Sequence, residues 1–432
     1  MYKFFLIILI IFFSNQLCFG AEFEKIDLKT AIDIALQNNI DIKSSEMDLE
    51  IAKNNIKISN QLQNPAIKTF WNFGRACEGN PNQIGLAQTI ELFKRGARKN
   101  LAKSIYNTAS HELEYNKFQL KMDVSEAYVK LVVAKLLLNK YKHQQTFHEK
   151  LLKISNLYNL KTEEENLHTI EAKIALKQII TEVNKAKANE KTARIEFNKV
   201  INSLDGNYDS VDIELKKDYD AIGINIPLSL KKLPPFDDIA EKAISNRIDI
   251  KIAKNEVETA KKNLTVVSRQ RIPDIELSSG YGFQHAKTSP SNKFESGAYL
   301  EASIVNIPIL YTYRPEIRNA KLEIEKANLK YISTVNKAKR DIEIAYERFV
   351  TAKINLDSYN DKILRESEEL FNLFEKIYKV KKVDFASLTA VEESYQDLIV
   401  GYSAAISDYY IGWLNFLREI YSDNFVFESE KI

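Results

Sequence analysis

The residues of this chain best placed to do chemistry are four carboxylates, Asp274, Glu276, Glu295 and Glu301. Each falls on the polar side of a stretch in which apolar and polar residues alternate, so extended backbone would bring all four to one face. A wall of repeated carboxylates raises the local cation concentration and disfavours anions. A water-facing wall also needs polar side chains for solvation alone, and that plainer role stands beside the selective one. Neither role makes the four a binding site.

Other chemistry is sparse. The sequence has no G-x-S-x-G, H-E-x-x-H, P-loop or C-x-x-C pattern, the arrangements that acyl transfer, zinc hydrolysis, phosphate binding and dithiol exchange require. A secreted enzyme therefore has no positive feature here, and nothing calls for a cofactor or a resident metal. The histidines are His111, His143, His148, His168 and His285. His143 and His148 are five apart, not the four that would put two ligands on one helix face, which leaves solvated or coiled-coil flank positions for them. Glu163-Glu164-Glu165 suits a helix N-terminus, where negative charge complements the dipole; a gating role is the alternative.

Composition bounds what must carry these residues. Met1-Tyr2-Lys3 precedes an unbroken run of Phe, Leu and Ile from Phe4 to Phe13, and the run ends in Ser14-Asn15-Gln16. It is too short to span a bilayer and reads as a signal peptide over residues 1–20, cut after Gly20. Cys18 follows Leu17 rather than the small residue of a lipobox, which argues against lipidation. Cleavage would leave Cys77 alone, so no disulfide could form within one chain. Basic and acidic residues number 61 and 59, without the basic excess of a nucleic-acid binder. Only 12 glycines and 9 prolines, amid abundant Ala, Lys, Glu, Ile and Leu, favour long helices.

The chain is written twice. Ile40-Asp41-Ile42-Lys43 returns as Ile248-Asp249-Ile250-Lys251, and the same register matches Glu50 to Glu258, Asn55 to Asn263 and Pro65 to Pro273. Asp123, Ala127, Tyr128, Ala134, Lys135, Leu138 and Tyr141 match Asp341, Ala345, Tyr346, Ala352, Lys353, Leu356 and Tyr359 in a slightly longer register. The predicted organisation is a first repeat over residues 21–204, a linker over 205–233, a second repeat over 234–422 and a tail over 423–432. Each repeat reads as a capped helix, a β-hairpin (about 66–90 and about 273–305) and long helices. Ala338, Ile342, Ala345, Phe349, Ala352, Leu356, Tyr359, Ile363, Glu366, Leu370, Leu373, Ile377 and Val380 step by four and three, a heptad seam for side-by-side helices. With no Pro or Gly between Pro315 and Val380, the pattern predicts one helix extending about 100 Å.

In the hairpins, Ile275, Leu277, Tyr281 and Phe283 alternate with Asp274, Glu276, Ser278, Gly280 and Gly282, and Ala298, Leu300, Ala302 and Ile304 alternate with Gly297, Tyr299, Glu301 and Ser303. Ile67, Thr69, Trp71, Ile84 and Leu86 form a weaker version. Strands with one apolar and one polar face are the unit of a membrane barrel, which needs at least about eight. Four strands from one chain cannot close, whereas three copies would supply twelve.

This plan resembles the TolC-type outer-membrane efflux family over essentially the whole mature chain. Leu28 to Asn39 looks like its opening helix and Phe236 to Asn246 like the second copy. The stretch Gln88 to Arg98, with Glu91, Lys94, Arg95, Gly96 and Arg98, is similar to the strand-to-helix junction of the branch associated with heavy-metal cation efflux; Pro308 and Arg314 mark a second such junction. The resemblance implies a mainly α fold with a small β part: a homotrimer with a twelve-stranded barrel in outer-membrane lipid and an α-helical tunnel in the periplasm. It implies a passive channel subunit served by a periplasmic membrane-fusion adaptor and an inner-membrane pump of RND or other type. The adaptor would meet tip turns at Asn159, Leu160, Lys161 and at Val380, Lys381, Lys382, where this chain has lysine in place of the family's glycine. Heavy-metal cations are the favoured cargo, with drugs, dyes or a secreted polypeptide as alternatives. A soluble periplasmic coiled-coil scaffold is the competing reading; it accounts for the heptads but not for the hairpins or the duplication.

Overall fold

Long runs of strong helix formers separated by short alternating stretches produce a mainly helical chain. The computed structural model describes residues 23–71, 82–158, 163–203, 208–211, 236–283, 296–359, 361–379 and 385–422. In order, the first repeat holds β1 (Glu24–Ile26), α1 (Leu28–Asn38), α2 (Ile40–Ser59), β2 (Ala66–Phe70), β3 (Asn82–Ile90), α3 (Lys94–Tyr158) and α4 (Glu163–Val200). Then come β4 (Tyr208–Ser210), α5 (Phe236–Asn246), α6 (Ile248–Arg269), β5 (Asp274–Phe283), β6 (Gly297–Val305), α7 (Arg314–Ser358), α8 (Asp361–Lys379) and α9 (Phe385–Ile420). Among the described residues no helix is long and apolar enough to cross a membrane.

The two repeats share local backbone devices. Asp27 caps α1 by accepting from the Thr30 amide at 2.9 Å, as short acidic side chains do at helix starts. Asn39, between α1 and α2, has φ −63° and ψ 125°; its counterpart Arg247 has φ −54° and ψ 125°, so both repeats turn the same elbow. Pro65 and Pro273 each stand directly before a strand, where a missing amide costs least. At the far ends, α4 and α9 both finish on a left-handed residue that is not glycine, Asn202 (φ 54°) and Tyr421 (φ 55°). The next amide closes each helix, Ser203 onto the Asn198 carbonyl at 3.0 Å and Ser422 onto that of Leu417 at 3.2 Å, the long-range bond of a Schellman cap.

The chain divides into two units. The first comprises residues 1–42, 116–245 and 338–432. Its core holds Ala338, Ile342, Ala345, Phe349, Ala352 and Leu356 of the predicted seam, all buried, together with Val124 and Leu131 of the first repeat. Phe349 lies at the centre, with ring centroids 5.6 Å from Tyr409, 4.9 Å from Trp413 and 6.1 Å from Phe416.

The predicted single helix over 315–380 is not observed. α7 stops at Ser358, whose hydroxyl turns back to the Asn355 carbonyl at 2.6 Å, and the Tyr359 amide bonds three residues back to Leu356 at 3.0 Å. These are the local bonds by which serine competes with helix continuation. When α8 resumes, the packed side has moved by one residue. Phe371 meets Phe147 and Tyr395 at 4.8 and 5.5 Å, and Phe374 and Tyr378 pack against Leu151, Ala172 and Leu388. The predicted seam residues Ile363, Leu370 and Leu373 are exposed instead.

A second difference concerns the linker. Tyr208–Ser210 forms β4 and pairs in parallel with β1, where an irregular connection was expected. Asn198 holds Tyr208 at both ends, donating to its carbonyl at 2.8 Å and accepting from its amide at 3.1 Å. Lys135 donates to the Ser210 carbonyl at 2.8 Å and lies 3.2 Å from the Asp209 carboxylate.

The second unit comprises residues 43–115 and 246–337 and contains one antiparallel sheet in the order β2-β3-β5-β6. Alongside it, Asn255 of α6 donates to the Ser104 carbonyl at 2.9 Å and to the Thr108 hydroxyl at 2.7 Å of α3, and Thr259 adds a bond to the Ser104 hydroxyl at 2.8 Å.

Truncating Phe349 to Ala should lower the unfolding free energy by about 3–5 kcal/mol, the usual cost of an emptied aromatic core site. Denaturant titration followed by Trp413 fluorescence would measure it, and the same truncation at the exposed Leu373 should change little.

Candidate functional site

The sheet sorts its residues by face in the reverse of a soluble protein. Cross-strand partners share a face, and the registers place Ile67, Leu86, Ile84, Tyr281, Leu277, Ile275, Ile304 and Leu300 on one side. That side is bare: Leu300 is 82% exposed, Ile67 74% and Ile304 65%. The opposite side carries Lys68, Gln83, Thr89, Asp274, Glu276, Ser278, Tyr299, Glu301 and Ser303, and Asp274 and Ser278 on it are buried. Apolar side chains thus stand outward, while the polar side ranges from buried Asp274 and Ser278 to exposed Lys68 and Glu301.

Three of the four predicted carboxylates, Asp274, Glu276 and Glu301, share the polar face; Glu295 lies outside the described residues. Basic and polar side chains meet them there. Asp274 Oδ2 accepts from Lys94 Nζ at 2.8 Å and from Asn306 Nδ2 at 3.1 Å. Glu276 is ion-paired with Lys68. Glu301 accepts from the Ser278 hydroxyl at 3.2 Å. Gly85 and Gly280 face each other where β3 and β5 approach most closely; a Cβ on Gly280 would sit 2.2 Å from the Ile84 carbonyl oxygen and one on Gly85 2.5 Å from the Tyr299 hydroxyl. Only glycine fits this pair, and the Tyr299 hydroxyl lies against Gly85.

Below the sheet, the predicted junction motifs form a bracing layer. Glu91 and Arg98 make a two-pronged ion pair, one arm of 2.6 Å, and Gln63 adds a bond to Glu91 at 3.2 Å. The Arg98 guanidinium holds the Glu91 carboxyl below its ordinary value of 4.5, since an adjacent cation favours the ionised form. Phe93, Asn306 and Tyr313, with φ of 61°, 59° and 54°, sit in the left-handed region that bulky side chains rarely adopt. Arg269 donates to the Phe93 carbonyl at 2.6 Å and Arg271 to that of Thr312 at 2.8 Å, which pins two of the strained turns. Arg95, Gly96 and Arg314 are exposed and Pro308 is half-buried; a side chain at Gly96 would meet nothing within 4 Å.

No family model and no curated protein matches the sequence. Solved structures do match. The Campylobacter jejuni CmeC outer membrane channel is 16% identical, with 91% of this chain and 85% of that one covered and a TM-score of 0.71. The open-state MtrE outer membrane channel of Neisseria gonorrhoeae is 18% identical over 93% of this chain and 90% of that one, TM-score 0.70. The outer membrane protein VceC of Vibrio cholerae is 14% identical over 91% and 95%, TM-score 0.66. The chain has the TolC-type channel fold.

Within this channel fold the other predicted positions disperse. The tip candidates Asn159, Leu160, Lys161, Val380, Lys381 and Lys382 lie outside the described residues, as do Cys77, His285, residues 1–20 and the tail 423–432. The acidic run Glu163-Glu164-Glu165 opens α4. His143 is exposed, whereas His148 was misread as a solvated or flanking residue. It is buried, with Nε2 at 3.3 Å from the Glu392 carboxylate of α9. Glu392 also accepts from Gln144 at 3.3 Å and from Gln396. Stepping on by four and three from Leu138 and Tyr141 reaches His148, so its seam position was the signal that could have placed it in the interior, whereas nothing in the pattern named Glu392 as its partner. Among the described residues no group of three or more His, Cys, Asp or Glu is placed to hold a metal.

A group whose folded-state pKa is depressed stabilises the fold fully above its unfolded value and loses that contribution as pH falls through its folded one. The Glu91 brace should therefore stabilise at neutral pH and fade below 4.5. Thermal melts of wild type and Glu91→Gln should differ most near neutrality and converge as the pH is lowered toward about 3.

Proposed function

We propose that this chain is the outer-membrane channel subunit of a tripartite efflux system, passively conducting its cargo out of the periplasm. The observation that carries the reading is the inverted sheet. Its apolar face needs an apolar solvent, its polar face needs water, and its outer strands β2 and β6 each have one side unpaired within the sheet. Inside a bilayer an open edge costs several kcal/mol per unsatisfied group, so four strands must close with strands from other copies. Three copies give twelve strands, above the minimum of about eight. The likeness in fold to known outer membrane channels supports the same reading.

On this reading the protein resides in the outer membrane as a homotrimer, the sheets form the barrel, and α3, α4 and α7 to α9 form the periplasmic tunnel. A periplasmic membrane-fusion adaptor would dock at the two tip turns and an inner-membrane pump would supply the energy. The cargo follows from the pump. Heavy-metal cations are the favoured class through the junction motifs around Glu91 and Arg98, with drugs and dyes as the competing class. Metal and drug sensitivity of a deletion strain would separate them.

Fractionation and native mass test the core of the reading. The mature protein should leave the outer-membrane fraction only with detergent, and light scattering with the detergent subtracted should give three times the chain mass. A soluble periplasmic monomer or dimer would overturn it and promote the coiled-coil scaffold.

A further inference from the structure

The duplication carries a charge reversal. The repeats align Pro65 with Pro273, and three residues further along the same register stand Lys68 in the first and Glu276 in the second, 208 positions apart. These two equivalent residues are the ones that pair with each other across the sheet. Lys68 lies on β2 and Glu276 on β5, with β3 between them. The pair is diagonal: on β3 Lys68 faces Gly85 and Glu276 faces Thr89, and the residue between these two on the same side is Ala87, so the intervening strand presents only small side chains. On the other flank of Glu276 the opposite residue is Ser303 of β6, again a small one.

Equivalent positions of repeats arranged about one axis lie at one level along it. If the trimeric barrel forms as proposed above, each Lys68 has a Glu276 on one side and, across the next β6 and its seam, the Glu276 of a neighbouring copy on the other. We propose that Lys68 and Glu276 together make a closed ring of six alternating charges at one level of the lumen, and that Lys68 is the residue that sets the ionic selectivity of the duct. Rings of carboxylates make a pore cation-selective; here the ring is neutral in sum, because one copy of the duplicated position is basic. Two of the three described carboxylates of the polar face are matched by a cation, Asp274 by Lys94 and Glu276 by Lys68, while Glu301 accepts from the Ser278 hydroxyl. The inference rests on the duct reading, and its test separates the two.

The test is the reversal potential of purified protein in planar bilayers under a potassium chloride gradient. Wild type should conduct with weak selectivity. Lys68→Glu would line the ring with six carboxylates and should raise the potassium-to-chloride permeability ratio at least about tenfold, the lower end of what a cleft of one sign does to counter-ion concentration. Glu276→Lys should move the ratio the opposite way by a similar factor, and the exchange Lys68→Glu with Glu276→Lys should return it to wild type. Lys68→Gln and Glu276→Gln, nearly equal in size to the native residues, carry the same signs with smaller shifts and serve where a reversal variant fails to assemble. If wild type conducts but the glutamine variants leave the ratio unchanged, the ring does not set selectivity and the duct reading stands. A wild type that never conducts overturns the duct and the ring with it.

Discussion

The structure depends on one constraint: backbone amides and carbonyls must find partners wherever water is absent. In lipid the penalty for an unpaired group is several kcal/mol, which forbids a four-stranded sheet from standing alone with two open edges. On the proposed reading, the inverted faces of β2, β3, β5 and β6 put that sheet in lipid, and closure into a barrel then requires more strands than one chain owns. Oligomerisation is, on that reading, a demand of hydrogen bonding before it is a matter of surface complementarity. The glycine pair at Gly85 and Gly280 serves the same demand, since a side chain at either position would collide with the backbone of the facing strand and disturb the ladder.

The duplication supplies the architecture economically and then departs from symmetry at points that matter. The elbows at Asn39 and Arg247 and the left-handed caps at Asn202 and Tyr421 keep the same geometry in both repeats. The long helices do not. α3 runs unbroken for 65 residues, whereas its counterpart divides into α7 of 45 residues and α8 of 19. One serine and the residues after it suffice for that difference, and the break rotates the packed face of α8 onto Phe371 and Phe374.

Much of this was legible in the residues. The heptad from Ala338 to Leu356 and the alternation from Asp274 to Phe283 each report a solvent boundary at every step, so period and face were readable together. The seam beyond Tyr359 was misplaced because a helix break shifts phase without changing composition. β1 and β4 were invisible because three residues carry no period; β4 is held by Asn198, ten residues before it, and by Lys135, 75 residues before Ser210, and no periodicity links either to it. Asp274, Glu276 and Glu301 were readable as one face of the sheet, but their partners were not. Lys68 and Lys94 stand on a short strand and at a helix start, where neither alternation nor heptad points to a specific acid. The Lys68 pairing was nevertheless written in the repeat register.

The small sheet of β1 and β4 also has a consequence in time. Both strands, and the Asn198 and Lys135 clamps that hold them, precede residue 212. A chain synthesised amino end first can fasten the first repeat at this point while the second is still to come. The four-stranded sheet can begin with β2 and β3 but cannot be completed until β5 and β6 have arrived, more than sixty residues after β4. The hairpin of β2 and β3, which bears Ile67, Ile84 and Leu86, therefore waits through the whole of α3 and α4 for the strands that extend its apolar face, and α7 to α9 are the last elements to follow.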